Sequence, residues 1–161
     1  MTPARLALAA VLLPGLAACN RAAPEAPSVG PLPARVTPSA AAQRLLDELP
    51  AAYHQADLEN GRLHFNLCRA CHTVTPGGPN MTGPNLYGVF GRKVAIKAGY
   101  GYSAALSAKD WRWDAEHLNG WLQSPRTYVP GTKMSFYGIP DDEDRRDLIA
   151  YLKVASSGGP M

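Results

Sequence analysis

The spacing of apolar residues in the C-terminal two-thirds of the chain predicts helices joined by loops. Leu58, Gly61, Phe65 and Cys68 recur at steps of three and four residues, which is the spacing of one helical face. No segment shows the alternation of apolar and polar residues that indicates a strand. All three tryptophans and all three phenylalanines lie beyond Leu58. The pattern therefore predicts an all-α domain at residues 56–161.

Capping residues predict where the other helices of this domain begin. Ser103 precedes a short helix to residue 109, and Asp114 precedes another that Pro125 stops. Pro140 and the acidic run DDED open the last helix, because aspartates near a helix start complement its dipole. The residues predicted to face the core are Leu118, Trp121, Leu122, Leu148, Ile149, Tyr151 and Leu152.

The first 18 residues have the pattern of an export signal. A single positive charge in MTPAR precedes the apolar run LALAAVLLPGLAA. This run is too short for a membrane-spanning helix, which needs about 20 apolar residues. A buried N-terminal helix is the alternative. The sequence LAAC resembles the lipobox of bacterial lipoproteins, which makes Cys19 the lipidated first residue of the mature chain. An ordinary secretory signal that happens to contain a cysteine is the other interpretation.

Residues 19–55 are predicted to form a lipidated N-terminus and a linker. Six prolines and many alanines lie between residues 20 and 50, and such a composition is typical of extended, unpacked chain. Within it, SAAAQRLLDEL could form a short helix capped by Ser39, with a narrow stripe of leucines. A tether of this kind would let the domain swing above a membrane.

The motif CRACH is typical of covalent haem attachment. Cys68 and Cys71 would add to the two haem vinyl groups, and His72 would lie over the iron as its proximal ligand. A zinc site normally needs a second pair of ligands, but no cysteine follows and His117 is the only later histidine. A thioredoxin-like pair needs a strand before it, and this segment has a helical pattern.

Met134 is the best candidate for a second axial ligand. It lies in YVPGTKMSF, where proline and glycine prevent a helix and favour an extended segment. Met81, His54, His64 and His117 are the alternatives. A peroxidase would need an open sixth position, against which the PGTKM segment argues.

The composition adds two limits. A net charge of +3 is too small and too evenly spread to indicate nucleic-acid binding. A domain of about a hundred residues is small for a self-sufficient core, so a haem would add apolar mass to it.

From Leu58 to about Ala155 the chain resembles class I cytochromes c of the mitochondrial type. TGPNLYGVFGR, PGTKM and DLIAYL carry the resemblance, together with the spacing of CRACH, GPNL and TKM. The resemblance implies helices wrapped around one covalent haem c, with His72 and Met134 as the axial pair. It also implies that the Pro84 carbonyl accepts from the His72 ring. The residues implied to meet the haem propionates are Arg92, Tyr102, Trp113 and Thr132.

The chain also departs from this family pattern. Leu106 replaces an asparagine near the rear propionate, and Trp121 replaces a tyrosine that donates towards the methionine sulfur. Lysines that surround the exposed haem edge in the mitochondrial proteins are largely absent, although Arg126 and Lys133 remain. The positions without them include Leu67, Pro79, Met81, Pro140 and Asp141.

The sequence thus predicts an electron carrier rather than an enzyme. The resemblance implies a quinol-oxidising cytochrome complex as donor and a terminal oxidase or photosynthetic reaction centre as acceptor. The signal and Cys19 place the protein at the periplasmic face of a bacterial membrane, held by lipid. A permanent cytochrome c subunit of such a complex is the alternative.

Overall fold

A computed structural model describes residues 37–159 of the chain. The predicted signal, Cys19 and the first part of the linker lie outside the described residues. Between residues 37 and 159 the secondary structure is helical, and a single isolated bridge pairs Lys93 with Arg112. The elements are α1 (Ala40–Asp47), a 3-10 turn (Ala51–Tyr53), α2 (Leu58–Phe65), α3 (Ala104–Ser107), α4 (Ala115–Gln123), α5 (Pro125–Tyr128) and α6 (Asp142–Ser156). The all-α prediction is confirmed, and none of these helices is long and apolar enough to cross a membrane.

The predicted caps begin the helices that they precede. The Asp114 carboxylate accepts from the His117 backbone N–H at 2.8 Å at the start of α4. Asp141 accepts from two backbone N–H groups at the start of α6, and Ser103 caps α3. Pro125 occupies the first turn of α5, so the proline that ends α4 also starts the next helix.

Helices α2 and α6 cross at very close range. A Cβ on Gly61 would lie 2.1 Å from the Asp147 carbonyl oxygen, so only glycine permits this approach. One turn later the Phe65 and Tyr151 rings pack with their centroids 5.4 Å apart. The crossing fixes the end of α2, from which the CRACH segment continues.

Buried polar side chains also hold α6 against α2 and α4. Asp147 is 2% exposed, and its carboxylate accepts from the Asp57 backbone N–H at 2.9 Å and the Asn60 side-chain amide at 3.0 Å. Arg145, equally buried, donates to the Asn119 side chain at 2.7 Å. Because each buried charged group has hydrogen-bond partners, its desolvation is compensated.

The short helix predicted inside the linker forms and packs on the domain. Ser39 caps α1, and Ala42 and Leu46 are completely buried. On the neighbouring surface Lys153 of α6 contacts Glu48 at 2.7 Å.

This packing changes the predicted extent of the linker. The sequence predicts a linker over all of residues 19–55, whereas from α1 onward the chain folds against α6. The physical reason is that the leucine stripe of α1 finds an apolar partner surface, which its sequence alone does not reveal. The folded unit therefore includes α1 and the 3-10 turn.

Candidate haem site

One cavity of about 280 Å³ lies between α3, α4, α6 and the loops of the domain, including the turn that follows α2. Its lining is mainly apolar and includes the side chains of Leu86, Val89 and Leu152. All the site residues that the sequence predicts within the domain line it: Cys68, Cys71, His72, Pro84, Arg92, Tyr102, Trp113, Thr132 and Met134. Residues widely separated in sequence therefore meet at one site.

The cysteine pair lies on a tight turn that follows α2. Both the Cys71 and His72 backbone N–H groups donate to the Cys68 carbonyl, at 3.0 and 2.9 Å. This turn places the three side chains against the same cavity. Burial, with a smaller effect from neighbouring Cys71, raises the pKa of the Cys68 thiol to about 11, so the thiol stays protonated at neutral pH.

His72 is held in the neutral form that ligates metals. Its Nδ1 lies 2.7 Å from the Pro84 carbonyl oxygen, which can only accept, so Nδ1 carries the hydrogen. Burial lowers the His72 pKa, and the bond to Pro84 opposes this shift only partly. The Nε2 lone pair is therefore available to bind iron, and the hydrogen bond to Pro84 fixes the orientation of the ring.

Gly83 allows the chain to lie directly against the His72 ring. A Cβ at this position would lie 2.2 Å from Cε1 and 2.6 Å from Nε2 of His72. The sequence predicts no role for Gly83. Its neighbour Pro84 was assigned one, and the tight GP dipeptide between CRACH and the next apolar residues was the only available signal.

Asn85 joins the loops of the same wall. It is completely buried, and its amide donates to the Thr73 hydroxyl at 2.7 Å and to the Thr75 carbonyl at 3.0 Å. Its side-chain oxygen accepts from the Tyr87 N–H at 3.1 Å, and its own N–H donates to Asn80 at 2.9 Å. Sequence reasoning missed this residue, since an asparagine in a loop is usually part of a turn.

The cationic side chains of the lining suit an anionic group. Arg92 donates to the carbonyls of Tyr87 and Asn85 at 3.0 and 3.3 Å, and burial lowers its pKa despite an opposing effect of Tyr102. Lys133 also lines the cavity, and the lining contains no carboxylate. A pair of haem propionates would complement this charge.

Met134 lies on an extended segment, residues 129–136, which we name the Met134 strap. At its start Val129 is fully buried, and its carbonyl accepts from the Thr132 N–H at 3.0 Å. The Thr132 hydroxyl accepts from the Met134 N–H at 3.3 Å. Lys133 donates to the Gly101 carbonyl and lies over the Tyr100 ring.

The structure does not bring the alternative axial ligands to the cavity. Met81 and the three other histidines are absent from its lining. Their ring nitrogens have other partners: His54 contacts the Leu49 carbonyl at 2.9 Å, His64 contacts Asp144 at 3.0 Å and His117 contacts Asp114 at 2.8 Å. No three His, Cys, Asp or Glu side chains converge on a metal site within residues 37–159.

The two departures near the iron site, Leu106 and Trp121, both face the cavity. The Trp121 ring packs edge-on to Trp113 with centroids 5.6 Å apart. An apolar side chain and an indole thus occupy positions where the resemblance implied hydrogen-bonding groups.

These residues fit a covalent haem. Two thiols and a neutral imidazole lie on one side and a thioether sulfur on the Met134 strap, while apolar walls and a cationic edge complete the cavity. Haem c attachment requires two thiols and a proximal histidine at this spacing.

Comparison with known proteins yields consistent matches. A family model described as cytochrome c matches residues 58–156. A cytochrome c from Kluyveromyces lactis is 41% identical over 105 residues, covering 65% of this chain and 96% of that protein. A cytochrome c homolog from Bradyrhizobium diazoefficiens is 44% identical over 102 residues, covering 63% of this chain and 55% of that protein. A cytochrome c from Guizotia abyssinica is 47% identical over 90 residues, covering 56% of this chain and 81% of that protein.

Proposed function

The chain belongs to the cytochrome c family, and on that premise we propose that it is a membrane-tethered carrier of single electrons between respiratory or photosynthetic complexes. Family members carry one covalently bound haem c and transfer electrons. The observation that supports the proposal most directly is the convergence of Cys68, Cys71, His72 and Met134 on one apolar cavity.

The chain's own side chains would bind the haem and tune it. Cys68 and Cys71 would hold it through thioether bonds, and His72 Nε2 and the Met134 sulfur would be the axial ligands. The haem supplies a one-electron couple between ferrous and ferric iron, and ligation by His and Met favours a relatively positive potential. The Pro84 carbonyl orients the imidazole, while the apolar lining excludes water.

Replacing Met134 with Ala tests the proposed ligation. We expect the variant to lose the iron–sulfur charge-transfer band and to bind CO in the ferrous state, because the sixth position is then open. Met81→Ala is the matched control, since Met81 lies outside the cavity lining and is 45% exposed. Retention of the band in the Met134 variant would show that another residue is the ligand.

The tether at Cys19 is the second part of the proposal, and the LAAC sequence supports it. Stable residence at a membrane needs two or more acyl chains, because one chain binds only marginally. We expect the protein to fractionate with periplasm-facing membranes, and Cys19→Ser to remain unprocessed or to be released as a soluble protein with intact haem. An intact mass that shows an unmodified N-terminus beyond residue 19 would refute lipidation.

The surface beside the cavity supports a partner search that depends little on charge. Leu67 and Met81 are 59% and 45% exposed where the mitochondrial pattern has lysines, and Asp141 is exposed as well. The ammonium of Lys133 is engaged with the Gly101 carbonyl. Electrostatic steering would therefore be weak, and a shared membrane could replace it by raising the effective concentration to about the millimolar range.

Measuring turnover over a series of salt concentrations separates electrostatic steering from the effect of the membrane anchor. We expect turnover of the anchored protein with a quinol-oxidising complex and an oxidase or reaction centre to change little with ionic strength. The soluble Cys19→Ser form should lose rate mainly through a raised apparent KM. Equal rates of the two forms at the same low concentration would show that the anchor does not compensate for weak electrostatic steering.

The exposed apolar side chains Leu67 and Met81 also favour a second candidate, a permanent subunit of such a complex, because apolar surface marks stable interfaces. Co-purification with partners in fixed stoichiometry after detergent extraction would support the subunit. Purification as a free monohaem protein would support the mobile carrier.

A further inference from the structure

Tyr137 is the most exposed large apolar residue between residues 37 and 159, with 95% of its surface open to solvent. Its ring therefore contributes almost nothing to the core. Phe136, directly before it, lines the haem cavity, so the exposed ring lies beside the cavity, just after the Met134 strap. The haem-binding role described above uses neither the ring nor the hydroxyl of Tyr137.

The backbone that follows Tyr137 is fixed against α4. Gly138 has a φ of 104°, and a Cβ on it would lie 2.1 Å from the Gln123 carbonyl oxygen. The next residue, Ile139, is 4% exposed, and its N–H donates to the Leu122 carbonyl at 2.8 Å. A protein that binds the Tyr137 ring would therefore not have to order this segment first, which lowers the cost of binding.

Two further exposed apolar side chains adjoin the same cavity. Leu67 is 59% exposed and lines it, and Met81 is 45% exposed and precedes Thr82, which lines it as well. Single apolar residues on a surface are common, whereas several around one opening mark an interaction site. Leu67, Met81 and Tyr137, which we name the mouth patch, therefore indicate a docking surface at the opening of the cavity.

Opposite charges lie on the two sides of Tyr137 along the chain. Lys133, four residues earlier, and Asp141, four residues later, are both exposed. The Asp142 side chain beside Asp141 is 84% exposed despite its contact with Arg145. Because opposite charges cancel at a distance, this arrangement attracts a partner only weakly from afar, but at contact it specifies the partner's orientation.

We propose that Tyr137 is the anchor by which a redox partner protein docks on the opening of the cavity. The partner offers an apolar pocket for the ring, with cationic side chains on the Asp141 side and anionic ones on the Lys133 side. Tyrosine is enriched among the few interface residues that carry most of the binding energy, because its rigid ring buries a large apolar area at a low entropic cost. The inference rests on the proposed electron transfer and identifies residues that select the partner.

Two other occupants fit the mouth patch less well. An anionic lipid surface would repel the carboxylates of Asp141 and Asp142. A second copy of this chain could pair Lys133 with Asp141 across a twofold axis. Such a dimer would close both cavity openings, however, and the haem edge must stay accessible for electrons to pass between different proteins. A redox partner protein satisfies both the charges and the proposed function.

Oxidation of the ferrous, full-length holoprotein by detergent-permeabilised native membranes tests the proposal, because those membranes contain the electron acceptor. We expect Tyr137→Ala to raise the apparent KM about tenfold or more with kcat unchanged, since truncating an anchor weakens docking and leaves the haem as it was. Tyr137→Phe should stay close to the wild-type KM, because it keeps the apolar ring. Ile96→Ala is the control: Ile96 is 56% exposed but does not line the cavity, so its KM should not change.

Asp142→Asn tests the charge assigned to the partner. Losing this carboxylate should raise the KM by less than Tyr137→Ala does, because an exposed ion pair is screened by water and salt. An unchanged or lower KM would overturn the assigned polarity.

Equal KM values for the wild type and Tyr137→Ala would overturn the proposal. A Tyr137→Phe variant as weak as Tyr137→Ala would overturn the apolar pocket. Dimers of the wild type, or its binding to anionic vesicles, that disappear in Tyr137→Ala would assign the mouth patch to another occupant and overturn the proposal as well.

Oxidation by ferricyanide separates docking from the haem site. Its rate should be the same in the wild type and in every variant, because a small oxidant needs no anchor. A wild type that ferricyanide oxidises but native membranes do not would contradict the proposed electron transfer and this inference together. Failure of this inference alone is therefore distinguishable, since the wild type would then still turn over with the membranes.

Discussion

The two walls that carry the proposed axial ligands, His72 and Met134, are held in different ways. On the His72 wall, residues 72–85, a completely buried asparagine joins three loop segments and a glycine packs against the imidazole. On the Met134 strap, the hydrogen bonds are three local ones, donated by the N–H groups of Val129, Thr132 and Met134, and one from an exposed lysine. Buried hydrogen bonds are costly to break because water cannot replace them, whereas exposed ones exchange with water readily. The strap is therefore the wall expected to release its ligand first.

The largest effect is expected from Asn85→Ala, which removes the centre of the His72 wall. The Tyr87 N–H would lose its partner, at a cost of about 1–3 kcal/mol for a buried group left unsatisfied, whereas the carbonyl of exposed Thr75 can bind water instead. Denaturant unfolding of the holoprotein measures this loss. Asn66→Ala is the control, because Asn66 is exposed and accepts a surface bond from Arg69. Equal destabilisation by the two changes would contradict the difference between buried and exposed contacts.

Gly83→Ala tests the close contact with the proximal ligand. The added Cβ would overlap the His72 ring, and overpacking of this kind costs about 1–3 kcal/mol. We expect a lower thermal midpoint and a changed haem spectrum, because the ring must shift. Gly101→Ala provides the matched control, since a Cβ there meets open space. An unaltered spectrum in the Gly83 variant would show that the backbone at residue 83 can shift to accept the Cβ without moving the His72 ring.

Local sequence signals predicted the helices of this fold better than the contacts that hold the two cavity walls. Ser39, Ser103 and Asp114 cap the helices that the sequence assigned to them, and Asp141 in the predicted acidic run caps α6, because capping depends on residues two or three positions away. The attachment motif and the Met134 segment were equally readable, since their chemistry lies in short, distinctive runs.

The contributions that sequence reasoning missed depend on contacts between distant segments. Two of the four Asn85 hydrogen bonds reach residues ten and twelve positions away, and Gly83 matters only because the His72 ring packs against it. For α1 the helix itself was predictable, but its position on α6 was not, since a leucine stripe does not name its partner surface.

Lys133→Met sharpens the comparison from the strap side. Removing the ammonium deletes the contacts with the Gly101 carbonyl and the Tyr100 ring, and an exposed cation–π contact contributes about 0.5–1 kcal/mol. We expect little change in unfolding but tighter binding of added imidazole to the iron, because the strap opens more readily. Lys109→Met, outside the strap, should leave imidazole affinity unchanged. Identical imidazole binding in both variants would argue that this lysine does not restrain the strap.

Acidification is expected to give the smallest difference between the walls, because the cavity lining contains no carboxylate. The aspartates that cap α4 and α6 do titrate. Hydrogen bonds from backbone N–H groups, that of Asp144 first, lower the pKa of Asp141. Burial raises the pKa of Asp114, but bonds from the His117 N–H and ring outweigh it and the net shift is downward.

A depressed folded-state pKa adds stability above the unfolded value and loses it as the pH falls through the folded value, below about pH 4. We therefore expect the helical signal and the iron–sulfur band to decline together in an acid titration. Asp141→Asn keeps a cap acceptor that does not titrate, so its acid loss should be shallower. Loss of the band well before the helical signal would show that the strap has an acid-sensitive contact of its own.

The close crossing at Gly61 has a consequence for the order of maturation. Its two helices are far apart in sequence, at residues 58–65 and 142–156, so they can pack together only after the whole chain between them is present. Without α6, the α2 helix has no surface to pack on, and the thiols that follow it remain open to attachment enzymes. We therefore expect haem attachment to precede the packing of α6 on α2, which closes the domain behind the cysteines.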